Sequence, residues 1–421
     1  MTTADQALQI VLDNVAPLGI ERLSIIAALS RVLAEEIHSP RDIPGFDNSA
    51  MDGYAVRAAD IAAAGESNPV RLEVLETVAA GMMPARQVGP GQAARTMTGA
   101  PIAEGADTIV QVERTRTDGN FVEIMATAEL GAFVRPRGED LRRGELVMRA
   151  GKTLSPYDLG MLASLNRSMI DVCRQPRVAI VATGDELVDV DQIPTGAQIV
   201  NSSAYALAGA IREAGAEPVI LKVARDQPEE VRARLAEALA FDVVLSTGGV
   251  SVGQFDHVKV VLDELGLRQL FHGVAQRPGR PLKFGIIGGR PVFGLPGNPV
   301  STLVCFYLYV RPALRRMGGA TETGLPRVTV RCATDIKIAA NLTEFVRVQL
   351  ERREGEIFAT PTGYQGSGVL SSLSRADALL IGPAASSMLK AGDQATVLLL
   401  TSGAGVDTEA FFEGRLLRQR N

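Results

Sequence analysis

Tryptophan is absent from this chain of 421 residues, and aromatic residues together make up only 5% of it. A surface that stacks unpaired bases needs such side chains, so the composition excludes a single-strand nucleic-acid platform. Cysteine is scarce as well. Cys173, Cys305 and Cys332 lie far apart and form no CxxC, which argues against a disulfide framework or a thiolate zinc site and fits reduced thiols in a cytoplasmic protein. The three histidines, His38, His257 and His272, are scattered, with no metal triad and no Ser-His-Asp order. Positive charge is not in excess either. With 43 Lys and Arg against 48 Asp and Glu the formal net charge is -5, so any anionic ligand must be held by local basic groups or backbone amides. The longest apolar run, Leu303 to Val310, is too short to span a bilayer. The N-terminal MTTADQALQIVLDNV has no basic start and no continuous apolar stretch, and reads as an amphipathic helix instead of a signal peptide.

What remains is an ordinary globular composition, 46% hydrophobic and 22% charged, in a chain long enough for two to four domains. Thr3 with Gln6 three residues on forms a capping box for a first helix carrying Leu8, Val11, Leu12 and Val15 on one face. A second short helix is expected over 25–37, and another over 154–168. Between them, residues 45–143 alternate short strand-like runs with Gly, Pro and Asp clusters and read as an inserted β-rich domain. Residues 1–44 and 144–175 would then form one helical linking domain. Residues 176–322 repeat strand and helix patterns, which predicts a doubly wound, parallel α/β sheet. KFGII and PVFGL form a hairpin around Gly288-Gly289. Residues 323–421 return to strand signals and read as a C-terminal β-domain with a polar tail that turns basic at its end.

Three glycine-bearing turns follow strands of the α/β segment: ATGDEL (182–187), STGGVSVGQFD (246–256) and GLPGNPVS (294–301). Ligands of such sheets sit at the carboxyl ends of the strands. Gly184, Gly248, Gly249, Gly253 and Gly297 allow close backbone approach, while Thr183, Ser246, Thr247 and Ser251 add hydroxyl donors. Pro296, Gly297 and Asn298 stand just before a helix start, a position that favours an anion. None of these turns has the spacing of a P-loop or a dinucleotide fingerprint, so ATP hydrolysis and nicotinamide redox chemistry are disfavoured. Asp185, Glu186, Asp226 and Asp256 crowd the same edge, and bunched carboxylates call for a cation such as Mg2+ bridging to phosphate oxygens. Asp226 reads equally as a helix N-cap paired with Glu229. QRPGRPLKFG offers Arg277, Arg280 and Lys283 as anion clamps stiffened by two prolines, and FVRPRGEDLRRGE adds further arginines, although such runs are more often solvated faces. In the β-rich segment, IPGFDNSAMDGYAV packs Asp47, Asn48, Ser49, Asp52 and Gly53 between apolar anchors, as a plain turn also would.

Taken in order, DNSAMDGYAV, TMTGAPIAEGADTIVQVE, RPRGEDLRRGE, VAIVATGDELV, STGGVSVG, LPGNPVST and GYQGSGVLSSLSRADALL resemble the molybdopterin molybdenumtransferases, the family of the bacterial MoeA proteins and the C-terminal part of gephyrin. The resemblance covers residues 1 to about 400. It implies a helical linking domain, an inserted β-rich domain, a molybdopterin-binding α/β domain and a C-terminal β-barrel. It implies a homodimer with the active site between subunits. The reaction it implies is Mg2+-dependent insertion of molybdate into adenylylated molybdopterin, giving molybdenum cofactor and AMP. Molybdopterin adenylyltransferase and maturation proteins of molybdoenzymes are partners it brings into view. Carried over by motif, Asp52, Thr98, Asp140, Glu186, Asp226, Arg347 and Ser367 are the catalytic set, with Glu186, Asp226 and Asp256 as metal ligands. Two departures stand out. Gln254 occupies a position that is often acidic, and RPGRP replaces KPGKP. The first keeps open an alternative: a molybdopterin-binding scaffold, or a paralogue with weak or tungstate-directed activity.

Overall fold

The computed structural model describes residues 1–248, 257–353 and 355–400, and the chain divides into two compact units. The smaller comprises Glu35–Ala150 and Gly160–Ser168, the larger everything else. Each is described by itself.

The smaller unit is built on a six-stranded sheet in the order Thr108–Gln111, Gly53–Val56, Gln92–Thr96, Val70–Val78, Phe121–Ile124, Thr115–Asp118. Apolar side chains on its two faces feed two small cores, one around Tyr54, Val56, Leu72 and Val122, the other around Ala55, Val78, Ala94 and Ile109. Alternate residues of one strand thus serve opposite faces, as a period of two requires. Gly53 has no freedom to be anything else, because a Cβ there would press on the Val110 backbone, whose carbonyl carbon lies only 2.9 Å away.

The larger unit holds the predicted α/β layer. Its strands are β1 (Arg177–Ala182), β2 (Glu217–Ile220), β3 (Val243–Thr247), β4 (Arg268–His272), β5 (Lys283–Ile287) and β6 (Arg290–Leu295), in the order β2-β1-β3-β6-β5-β4. The first four of that order run parallel, and β5 and β4 are antiparallel additions. The β5–β6 turn is the expected two-residue hairpin, with Gly288 at φ 54° and Gly289 at φ 81°, the left-handed pair that a primed turn needs. Val178, Ile180, Val243 and Leu245 face one core, and Ala179, Val181 and Val244 face the other. Helices α1 (Ser202–Glu213) and α4 (Pro299–Cys305, continued by further helical turns to Met317) cover the first face, and α2 (Pro228–Ala238) and α3 (His257–Glu264) the second.

The N-terminal helix, Ala4–Asp13, starts with the predicted Thr3–Gln6 capping box and places Ala7 and Val11 in the first core, joined by Val15 just past its end. The expected helix over 25–37 does not form. Only a 3-10 turn at Ile26–Ala28 appears, Ser30 takes a left-handed φ of 63°, and Val32 and Leu33 bridge in extended form to Thr153 and Val172. Burial of Leu33 and Ile37 between strands outweighs the helical spacing of the segment. Ile20–Ser24 pairs antiparallel with Met169–Cys173, so the linking region mixes helix with a small sheet. After the α/β layer five strands close on themselves: Thr343–Arg353, Glu356–Pro361, Arg327–Cys332, Gln394–Leu399 and Ala378–Gly382, the last pairing back to the first. Closure removes every free edge, the usual hazard of a small sheet. No helix among the described residues is long and apolar enough to cross a membrane.

Candidate functional site

The carboxyl ends of β1, β3 and β6 converge through their backbones. The Thr183 amide donates to the Thr247 carbonyl (3.2 Å), the Gly248 amide to the Leu295 carbonyl (3.3 Å), and the Gly184 amide to the Ala224 carbonyl (3.1 Å). Gly248 sits at φ 86°, and a Cβ there would come 2.9 Å from the Thr183 carbonyl oxygen; one built on Gly297 would come 3.7 Å from the Gly248 Cα. At Gly248 the left-handed backbone and this close approach leave no room for a side chain, which is the physical reason for glycine there, while a Cβ on Gly297 would make an ordinary contact. Above them lies a cavity of about 340 Å3. Thr183, Glu186, Thr247, Gly248 and Gly297 to Pro299 line one part of it, and Ile199 to Ser203 with Leu187 line the rest.

The carboxylates meet at the same edge. The Asp226 amide donates to Asp185 Oδ1 at 3.2 Å. Desolvation, followed by the charges of Asp185 and Glu186, raises the Asp226 carboxyl above the ordinary range. The N-cap alternative for Asp226 is corrected: α2 begins at Pro228, its N-cap is Gln227, and no side chain caps it. Proline at the first helical position fixes the entry without a carboxylate. Among the described residues no three His, Cys, Asp or Glu side chains gather closely enough to hold a metal ion. The Glu186 side chain folds over the Gly184 Cα, where a Cβ would stand 2.8 Å from its carboxyl carbon.

A second cavity of about 470 Å3 opens beside the first and shares Asn298 with it. Its floor is the RPGRP segment, and how the sequence seats that segment is clear. Gln276 is fully buried; its side-chain amide donates to the Pro278 carbonyl at 2.9 Å and its oxygen accepts the Tyr309 hydroxyl. Gly279, at φ 92°, lies flat against α4, and a Cβ there would collide with the Cys305 sulfur. The segment is therefore clamped from behind and presents Arg277 and Arg280 to the cavity. Arg277 is tethered by Glu344 at 3.7 Å and is still more than half exposed. The opposite wall is Tyr364 to Ser367, where Asn298 Nδ2 donates to Ser367 Oγ at 3.0 Å.

Arg347 stands behind that wall and is only 1% exposed. Its Nε donates to Ser372 Oγ (3.1 Å), its Nη2 to the Gly366 carbonyl (3.1 Å), and its amide to Gln365 Oε1 (2.9 Å). Burial lowers its pKa, with the nearby Glu344 acting in the opposite sense. Lys283 is buried at the start of β5 and Ser246 within β3, so neither lines the cavities among the described residues; the Ser246 hydroxyl has no hydrogen-bond partner there. Gly249, Ser251, Gly253, Gln254 and Asp256 lie outside the described residues.

In the smaller unit the structure joins Asp52 to Thr98. Both the amide and the hydroxyl of Thr98 donate to Asp52 Oδ1, at 2.7 and 2.8 Å. The amide bond first, then the hydroxyl, lowers the Asp52 carboxyl below its usual range. Asp52 is exposed and bears its charge outward. Asp140 is also exposed, in a loop fastened by its amide to the Ile43 carbonyl (3.0 Å) and by Asp42, which accepts from Arg137 Nε (2.6 Å) and the Arg143 amide (2.8 Å). Sequence reasoning missed Asn201, which caps α1 by accepting from the Ala204 amide at 3.3 Å and also lines the first cavity. The signal was present in Asn-Ser-Ser directly before an apolar helical pattern. It also missed Gln276, whose role is visible only once its burial is known.

Comparison with known proteins covers most of the chain. Residues 2–166 match the MoeA N-terminal region (domain I and II), residues 179–316 a probable molybdopterin binding domain, and residues 329–400 the MoeA C-terminal region (domain IV). The chain is 37% identical over 386 residues to the molybdopterin molybdenumtransferase of a Nostoc species, covering 90% of this chain and 88% of that protein. It is 34% identical over 391 residues to the enzyme of the same name from Bacillus subtilis, covering 91% of each. The solved structure of the molybdopterin biosynthesis MoeA protein from Pyrococcus horikoshii OT3 superposes with a TM-score of 0.82 at 31% identity, over 95% of this chain and all of that one.

Proposed function

The chain belongs to the MoeA family of molybdopterin molybdenumtransferases, and from that premise we propose that it is the transferase of molybdenum cofactor biosynthesis that takes adenylylated molybdopterin and molybdate to molybdenum cofactor and AMP. The observation that carries the reading is the pair of adjoining cavities that share Asn298. The first, with its glycine-lined strand ends and the Thr183 and Thr247 side chains, suits a phosphate-bearing pterin nucleotide. The second, with Arg277, Arg280 and Ser367, offers donors and positive charge and suits a tetrahedral oxyanion. Arg347 holds the Gln365–Ser367 wall in place from behind instead of reaching into the second cavity.

The raised Asp226 carboxyl, pressed by Asp185 and Glu186, is an arrangement that a divalent cation relieves. Mg2+ held by Asp226 and Glu186, with phosphate oxygens of the substrate completing its shell, would neutralise the pyrophosphate that is cleaved. Asp185 accepts the Asp226 amide and so keeps the two acids in place. In the proposed homodimer, Asp52, Thr98 and Asp140 of one subunit serve the strand-end site of the other, in a cytoplasmic enzyme.

The test is AMP release from adenylylated molybdopterin in the presence of molybdate and Mg2+, without ATP. Release that depends on molybdate is the expected result, and its absence with every divalent cation tried would remove the enzymatic reading in favour of a scaffold. Gln254 motivates one added arm: Gln254→Asp should match or exceed the parent chain. Repeating the assay with tungstate reads the choice of oxyanion directly.

A further inference from the structure

The helix behind the second cavity is not regular. After α4 the chain makes one π-helical turn, Phe306–Val310, and the Arg311 amide that follows donates to the Phe306 carbonyl five residues back. Turns of this kind inside helices are frequent at functional sites. Tyr309 lies in this one, fully buried in the core that also holds Val274, Leu282 and Phe306. A hydroxyl in such surroundings costs stability unless it is bonded, and a phenylalanine would fill the same space without that cost. The hydroxyl is bonded, and its partner is Gln276 Oε1.

A glutamine amide can face either way in its slot, because its oxygen and nitrogen match in size and differ only in hydrogen-bonding role. Gln276 has a partner on each side, the Tyr309 hydroxyl and the Pro278 carbonyl, which stands 2.9 Å from Nε2. A carbonyl only accepts, so the nitrogen must face Pro278 and the oxygen must face Tyr309. Turned over, the amide would set its oxygen against the Pro278 oxygen. Burial pushes the Tyr309 hydroxyl far above its ordinary value, so it keeps its proton and remains a donor. Pro278 stands between the two arginines of the cavity, and the next carbonyl, that of Gly279, is met by Cys305 Sγ at 3.5 Å. The far end of the segment is held by the Val274 amide, which donates to the Arg280 carbonyl at 2.9 Å. We propose that Tyr309 is a positioning residue for the oxyanion cavity: it locks the Gln276 amide in the one orientation that holds the Pro278 carbonyl, and through it the separation of Arg277 and Arg280. Tyr309 does not line the cavity itself, so it acts on the oxyanion only through Gln276. The inference rests on the reading of that cavity as the oxyanion site and adds the group that sets its grip.

Tyr309→Phe removes the donor and keeps the ring. On the full chain it should raise the molybdate concentration for half-maximal AMP release about tenfold, with the maximal rate within about twofold of the parent's. Molybdate binding read by calorimetry should weaken by the same factor. Gln276→Met should do as much, and Tyr309→Phe placed on top of Gln276→Met should add nothing further, because the hydroxyl acts only through the amide. Hydrogen exchange without any ligand should quicken about tenfold over residues 276–282 in Tyr309→Phe and stay unchanged in β1 and β3. An unaltered half-saturating concentration in Tyr309→Phe, beside a parent chain that binds and turns over molybdate, would overturn the proposal and leave the activity standing. So would effects of the two substitutions that multiply, the mark of independent packing defects. A parent chain that binds no molybdate would remove the oxyanion reading itself, and this inference with it.

Discussion

The Asp52–Thr98 pair gives the clearest pH dependence at the scale of single residues. Asp52 has a carboxyl depressed by donors that exist only in the fold. A depressed acid contributes stability above its unfolded pKa and loses that contribution as the pH falls through the folded value. Thr98→Val keeps the amide donor and deletes the hydroxyl, so the Asp52 titration should move back towards the ordinary carboxylate range. Carbon-detected NMR of the Asp52 carboxyl reads this, and an unmoved titration would show that the hydroxyl contributes nothing. Gly248 gives a second test. Its φ of 86° and its 2.9 Å approach to the Thr183 carbonyl leave no place for a methyl group. Gly248→Ala should cost roughly 1–3 kcal/mol in chemical denaturation and reduce AMP release by about tenfold or more through displacement of the turn. At this scale the sequence pointed to strand-end residues that the fold brings to one cavity, as with Thr183, Gly248 and Asn298. It was silent on Gln276 and ambiguous on Asp226, because burial and helix start are decided by neighbours far along the chain.

Elements were legible where pattern and burial agree. The repeated strand and helix segments of residues 176–317 and the Gly288-Gly289 hairpin have side-chain periods that match the layer in which they sit. The stretch 25–37 failed because its apolar residues satisfy a helix on paper and an extended, doubly bridged path in the fold, where Leu33 and Ile37 are each buried. Arg347 shows the same limit in the barrel. The family pattern places it among the catalytic residues, and the fold adds what the pattern does not show, a buried guanidinium that bonds the Ser372 hydroxyl and the Gly366 carbonyl. Arg347→Lys cannot reach both Ser372 and Gly366 with one ammonium. It should cost about 2–3 kcal/mol in unfolding free energy and raise the molybdate concentration needed for half-maximal rate. A variant with unaltered stability would mean that these bonds are dispensable.

The whole molecule is where sequence said least. The order of segments was readable, but composition does not reveal which segments share one compact unit: the barrel and the α/β layer fall together in the larger one. The homodimer proposed above makes a sharp prediction at this scale. Asp52→Ala and Glu186→Ala chains, each inactive alone, should regain about a quarter of parental AMP release when unfolded together and refolded as a mixture, since half of the random dimers then hold one intact site. Continued inactivity of the mixture, with heterodimers verified by mass spectrometry, would place both residues in a site built by one chain.

Among the described residues, Thr2 to Leu18 wait longest for their neighbours. The Leu18 amide bonds the Met317 carbonyl, Arg316 Nε donates to the Val15 carbonyl, and Thr2 bridges to Val274. A ribosome adding about 5–20 residues per second takes roughly 15–60 s to travel from one side of these contacts to the other. All that time the apolar stripe of the opening helix is bare, while the six strands of the β-rich sheet, Gly53 to Ile124, are all synthesised early. That sheet can pair before the helix finds its place, and the opening helix is the stretch on which a chaperone at the tunnel exit would find its longest-lived target.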